Sequence, residues 1–252
     1  MTECGLWLYA VTRRAEPGTV TGVAAETPRA IEAAGLTAVV GDVPLSVFGD
    51  AALHRNLEDL DWLAAVARAH DTVIGALVAQ GPVVPVRLTT VYRDDDGVRA
   101  VLREREAEFT RVLDNVTGRT EWGVKVFLEQ EPETGSTVAN PAARGAGTAY
   151  LARRRAALTA QQQQERSAGE QASRVHTRLA ELAVASRLNP PQNRTLAGED
   201  ARMILNAAYL VEDDKARSFT EAATRCDRDE ETIRVQLTGP WPPYSFSSWE
   251  EP

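Results

Sequence analysis

Cysteine is nearly missing from this 252-residue chain: Cys4 and Cys226 stand far apart, and neither belongs to a Cys-x-x-Cys pair. That argues against a disulfide framework and a cysteine-based zinc site, and leaves two unpaired thiols of a reducing compartment. Histidine is also scarce. His54, His70 and His176 have no partner at metal-ligand spacing. No run of apolar residues approaches the ~18 of a membrane-crossing helix. The start, Met1-Thr-Glu-Cys-Gly, has no basic region of a secretory leader, so a cytoplasmic protein is expected. Lysine occurs only at 125 and 215, against 26 arginines, a bias that with abundant alanine and valine reads as a GC-rich genome. Base is outweighed by acid, with a net charge of -8. A nucleic acid or an anionic membrane wants a basic face, so neither is expected as a partner. Glycines do not cluster into a phosphate-binding loop of either common type.

What is present reads as an α+β protein of two domains. Leu6 to Ala10 are apolar on both faces, which predicts a central strand from about Gly5 to Val11. Weak and strong strands follow at 30–33 and 36–42. Leu53, Leu57, Leu60, Ala64 and Ala67 then recur at helical spacing, and Val73, Ile74 and Leu77 continue the pattern. A break near His70 is expected, and Gly81-Pro82 ends the helix. Val83 to Arg87 predicts a short strand at an edge or with a bulge, because Pro85 cannot donate to a ladder. A second helix runs from Asp94 to Gly118, and Trp122, Val124, Val126 and Leu128 share one face of a strand that would close this domain. The order predicts a ferredoxin-like sheet over residues 1–130, with helices on one face.

Residues 131–147 are rich in Pro, Gly, Ala, Ser and Thr and read as a linker. The second domain, 148–252, opens with a long helix expected to reach Leu188, where Asn189-Pro-Pro191 stops it. A small β-α-β sheet follows: a strand at 202–211, a helix from Asp213 or Asp214 to about Arg225, and a strand at 231–238. The chain closes with Gly239-Pro-Trp-Pro-Pro-Tyr-Ser-Phe246. Three prolines forbid helix and ladder there. Trp241, Tyr244 and Phe246 put much apolar area on a stiff segment, so the tail is expected to dock on its own protein.

Chemistry-bearing groups are few. His70-Asp71 has the composition of a base and an orienting carboxylate, but neighbours on a helix point about 100° apart. Asp94-Asp-Asp-Gly97 lacks the alternating ligands of a calcium loop and suits a helix start. Arg153-Arg-Arg155 reads as a solvated helix face. No catalytic set, cofactor site or metal site is expected. An enzymatic or small-molecule-binding reading would need a pocket near His70 and Arg87.

Several stretches belong together: Leu6-Trp-Leu-Tyr-Ala-Val11; His70-Asp-Thr-Val-Ile74 with Pro85-Val-Arg87 and Thr90-Val-Tyr92; Gly147-Thr-Ala-Tyr-Leu151 with Arg153 to Arg155; Ile204-Leu-Asn-Ala-Ala-Tyr-Leu-Val211; and the 239–246 tail. As an ordered set they resemble the GvpL/GvpF family of gas vesicle proteins. The family commonly has Phe-Gly after the central arginine, where Leu88-Thr89 stand here, which puts that turn in question. The resemblance implies a cytoplasmic two-domain accessory protein of gas vesicle formation. It would contact the shell protein and other accessory proteins, without catalysis or cofactor. Tyr150, Tyr209, Trp241, Tyr244 and Phe246 are the candidate residues for interaction or tail docking.

Overall fold

Strand β1 (Cys4–Thr12) is buried at every position after the first, so it needs apolar cover on both faces. The computed structural model describes residues 3–128, 146–190, 202–229 and 232–247. They fall into two compact units, Met1–Glu121 with Pro240–Pro252, and Trp122–Gly239. In the first, β2 (Arg29–Ala33), β3 (Leu36–Pro44) and β4 (Val83–Pro85) build the sheet β2-β3-β1-β4. β5 (Val91–Tyr92) pairs with the start of β1, in line with β4 on the same edge. All these pairings are antiparallel.

The register of β1 against β3 shifts between Leu8 and Ala10. One extra residue there reverses the alternation. Leu6, Leu8 and Val11 thus join one core, and Trp7, Tyr9 and Ala10 the other. The second core is closed by α1 (Leu45–Phe48), α2 (Asp50–Asn56) and α3 (Leu60–Val78), through Phe48, Leu53, Val66, Val73 and Leu77. The first is closed by α4 (Asp95–Glu104) and α5 (Glu106–Val116), through Val98, Leu102, Phe109 and Leu113. Helices therefore cover both faces, not the single face expected from the element order. A strand apolar on both sides requires it.

The helix breaks sit where side chains cap them. The first long pattern is interrupted at 57–59, not near His70, because the Asp59 carboxylate accepts from the N–H groups of Asp61 and Trp62. The Asp94 carboxylate accepts from Gly97 N–H and starts α4. Asp95 holds Arg29 at 2.6 Å and Arg99 at 3.3 Å, tying β2 to α4. The guanidinium of Arg29 pulls the Asp95 carboxyl below its ordinary range.

Between β4 and β5 the chain leaves the ladder. Val86 N–H still donates to Tyr9 C=O, and Leu8 N–H to Thr90 C=O, so only Arg87, Leu88 and Thr89 loop out. Thr89 has φ +77°, a left-handed backbone that a β-branched residue rarely adopts. The turn keeps the conformation that a glycine would favour, although glycine is absent.

The second unit runs β6 (Arg119–Leu128), α6 (Ala146–Ala180), β7 (Ala185–Leu188), β8 (Arg202–Glu212), α7 (Ala216–Asp229) and β9 (Ile233–Trp241), with sheet order β7-β8-β6-β9. This β-α-β-β-α-β order is the ferredoxin-like plan. It appears here because the strand expected to close the first domain instead opens the second sheet. Val124 and Val126 pack with Leu205, Ala207, Tyr209, Phe219 and Ile233. α6 stops at Ala180, short of the expected Leu188, and residues 185–188 pair antiparallel with β8. Ala168, Ala172, Val175 and Leu179 bury its last turns at helical spacing, whereas its described side chains from Arg154 to Ser167 are exposed. β9 also runs past its expected end through Pro240, which a sheet edge tolerates. Most of the expected 131–147 linker lies outside the described residues.

Relieving the Thr89 backbone offers a direct check. Left-handed backbone costs a non-glycine residue roughly 1–2 kcal/mol, and glycine gives back part of that in chain entropy. Thr89→Gly is expected to stabilise the protein by up to about 1 kcal/mol, raising the melting midpoint by about 2–4 °C. A lower midpoint would contradict the strain.

Candidate functional site

α3 carries two neighbouring polar side chains that point to different places. His70 is 1% exposed and lies on β1. Its Nδ1 accepts from Trp7 Nε1 at 3.0 Å, and its Nε2–H donates to Val86 C=O at 3.1 Å, which defines the tautomer. Its ring lies 5.4 Å from that of Tyr9. Burial is the main reason its pKa falls, to about 4, against the opposing pull of the Val86 carbonyl and the Asp71 charge. His70 is therefore neutral at physiological pH, with both nitrogens engaged. Tyr9 continues the network: its hydroxyl donates to Glu26 at 2.5 Å and accepts from Val23 N–H. Burial first, then Glu26, push the Tyr9 phenol well above its ordinary pKa. The Glu26 carboxylate lies where a Cβ on Gly22 or Gly41 would stand. Those two glycines admit it to the sheet.

Arg87 does not converge on His70. Its side chain is exposed, and its carbonyl accepts from Thr90 Oγ1. The enzymatic reading placed a pocket between them. Instead the imidazole is buried against Trp7 and Tyr9 and hydrogen-bonded to the Val86 carbonyl.

Asp71, one residue on, faces the carboxyl-terminal tail. Tyr244 OH donates to Asp71 Oδ1 at 2.7 Å. Burial, then the Asp71 hydrogen bond, raise the Tyr244 pKa. Ser245 donates its N–H and its hydroxyl to the two oxygens of Glu121, at 2.8 and 2.6 Å, and Glu121 is only 7% exposed. Ser247 is buried, with its hydroxyl 3.5 Å from Pro85 C=O, and Pro243 is buried too. A 3-10 turn, Tyr244–Phe246, shapes this segment.

The tail thus lies on the first unit, but less through its aromatic rings than expected. Trp241 is 51% exposed, Tyr244 is 36% exposed, and Phe246 is half-buried. The polar anchors Asp71, Glu121, Ser245 and Ser247 escaped the sequence reading, which followed apolar area. The one available signal was Glu121 beside the apolar alternation of β6. Tyr209 is fully buried in the second unit, with its hydroxyl 2.9 Å from His176 Nδ1 and its ring 5.3 Å from Phe219. It is a core residue. Tyr150 lies in α6, and its side chain is outside the described residues. His54 is exposed, near Asp50 C=O.

Among the described residues, no three His, Cys, Asp or Glu side chains gather into a metal-binding group, and no helix is long and apolar enough to cross a membrane. One cleft of the first unit measures about 420 Å³ and is lined by Leu45, Phe48, Leu53, Val91 and Tyr92 together with Asp50, Thr89 and Arg93.

Comparison with known proteins agrees with this architecture. Residues 5–248 match the family model described as gas vesicle synthesis protein GvpL/GvpF. Gas vesicle protein L of Streptomyces sp. (strain CB03234) is 41% identical, over 97% of this chain and 93% of that one. Gas vesicle protein F of the same strain is 32% identical, over 84% of each. Among solved structures, GvpF of an Anabaena species superposes with a TM-score of 0.70 at 18% identity, covering 98% of both chains. GvpF of Microcystis aeruginosa gives 0.66 at 16% identity, covering 97% of this chain and 99% of that one. At such identities these two structures speak to the fold.

Two measurements check the site. His70 has a lower pKa folded than unfolded, so the unfolded chain takes up its proton first. Its contribution is complete above about pH 6.5 and is lost progressively toward about pH 4. A His70→Leu variant should lose less stability than the parent over that window, by up to about 3 kcal/mol, while starting lower because Trp7 N–H and Val86 C=O lose their partner. Equal pH slopes would remove His70 from the account. For the tail, Glu121→Ala should destabilise by about 1–3 kcal/mol by orphaning the Ser245 donors. Trp241→Ala should cost less than about 1 kcal/mol, because the indole is half exposed. Thermal melts that reverse this order would place the docking energy on the aromatic ring.

Proposed function

We propose, from the fact that this chain belongs to the gas vesicle synthesis protein GvpL/GvpF family, that it acts in gas vesicle formation as an accessory protein, through contacts with the shell protein and fellow accessory proteins. It works in the cytoplasm, associated with the growing vesicle, and not as an enzyme. The observation that carries this reading is the family match over nearly the whole chain, residues 5–248. The site supports it. The buried His70 makes two hydrogen bonds to the protein, so the best candidate for acid–base chemistry serves packing. The half-exposed Trp241 and Tyr244 ride on a segment stiffened by three prolines and pinned by hydrogen bonds. Rigid aromatic side chains of this kind are enriched at the energetic centres of protein interfaces.

Two relatives from one strain bear on the role within the family. The chain is 41% identical to the L protein of that Streptomyces strain and 32% identical to its F protein. An L-like role is the better supported of the two.

Deleting the gene in a vesicle-forming host should reduce or abolish vesicles. The purified protein should retain shell protein or a fellow accessory protein in a pull-down. Normal vesicles in the deletion strain, together with no retained vesicle protein, would defeat the proposal.

A further inference from the structure

The tail is fastened to the first unit by polar groups and stands outside its cores. No residue of 240–247 belongs to either apolar cluster of that unit. Of these residues only Pro243 and Ser247 are buried, while Trp241 and Tyr244 are exposed and Phe246 is half-buried. Hydrogen bonds hold the segment: Tyr244 OH donates to Asp71, and Ser245 N–H and hydroxyl donate to the two oxygens of Glu121. Ser247 adds a longer contact from its hydroxyl to Pro85 C=O. In each of these the tail donates and the body of the unit accepts.

Part of the dock is a sheet edge. β4 is the last strand in the order β2-β3-β1-β4, Val86 N–H donates back to Tyr9 C=O, and Ala10 stands opposite Pro85. Bonded and non-bonded pairs alternate along an antiparallel ladder, so Pro85 turns its carbonyl away from β1 and brings no N–H to that edge. Ser247 meets this carbonyl. The chain enters the tail through Gly239, whose φ of +121° suits glycine. Pro240, Pro242 and Pro243 fix φ beyond it, so the segment is stiff and loses little freedom on docking.

We propose that residues 240–247 are a strap, which lifts from Asp71, Glu121 and Pro85 as one piece, turning at Gly239, while both apolar cores of the first unit stay closed. Lifting breaks the hydrogen bonds of the tail and uncovers Pro243, Phe246 and Ser247. It parts no core side chains, so it needs less free energy than unfolding the unit, as local openings do in general. In the lifted state Pro243 and Phe246 join Trp241 and Tyr244 at the surface. The vacated dock then presents the acceptors Asp71, Glu121 and Pro85 C=O, so a competing segment must bring donors. The lifting itself does not depend on the proposed role in vesicle formation.

The test is amide hydrogen exchange of the purified full chain, followed residue by residue over urea concentrations below unfolding. Ser245 N–H, bonded to Glu121, reports the strap, and the amides of β1 report global unfolding. A local opening exposes little surface and so responds little to urea, whereas global unfolding responds steeply. Ser245 is expected to be protected relative to a free peptide, to exchange at least about tenfold faster than the slowest amides of β1, and to hold its rate as urea rises. Tyr244→Phe removes only the bond to Asp71 and should speed Ser245 exchange by about tenfold, as fits one lost hydrogen bond to a charged acceptor. The parent alone decides the main question. Exchange of Ser245 at the rate and with the urea dependence of β1 overturns the proposal, because the tail then opens only with the whole unit. Absence of protection overturns it as well, as does a Tyr244→Phe chain, shown folded by its melt, in which Ser245 exchanges as in the parent.

Discussion

Everything in the first unit depends on how β1 is covered. A strand buried on both faces cannot lie at the edge of a sheet or against a single layer. The shift in its register at Leu8–Ala10 divides its side chains between two cores. One side receives Trp7 and Tyr9, whose polar atoms need partners inside the protein. His70 satisfies the indole, Glu26 satisfies the phenol, and Val86 satisfies the imidazole. The position of α3, of the 20–26 loop and of the 83–92 edge all follow from this one chain of hydrogen bonds.

The same helix carries the consequence outward. Because adjacent helical residues diverge, His70 enters the core while Asp71 meets the tail. The tail in turn reaches Glu121, the last residue of the first unit before the chain enters the second. The second unit, Trp122–Gly239, is thus inserted between the two segments of the first, and the Ser245–Glu121 hydrogen bonds lie within the first unit. A tail that looks like an appendage in sequence completes the unit in which the chain began.

The proposed role rests on the family match, which covers nearly the whole chain. His70, the histidine beside Asp71, is committed to packing. The surface of the first unit carries a stiff segment with the half-exposed Trp241 and a cleft with apolar lining.

Period and punctuation alone determined much of this protein. The two-faced character of Leu6 to Ala10, the helical spacing of Leu53 to Leu77, the acid run that caps α4 and the strand at 202–211 are local patterns, and local patterns survive in a single sequence. The divergence of His70 from Asp71 was legible for the same reason. Other features were decided only in three dimensions. Trp122 to Leu128 reads as the same apolar strand whichever sheet receives it, and only long-range pairing assigns it to the second. Residues 185–188 continue a helical pattern in sequence, yet β8 supplies ladder partners for them. The tail showed the greatest gap. Its aromatic residues advertised burial, but the carboxylates that hold it lie 124 and 173 residues away. No spacing rule reaches that far, because such partners are brought together by the fold and not by the chain.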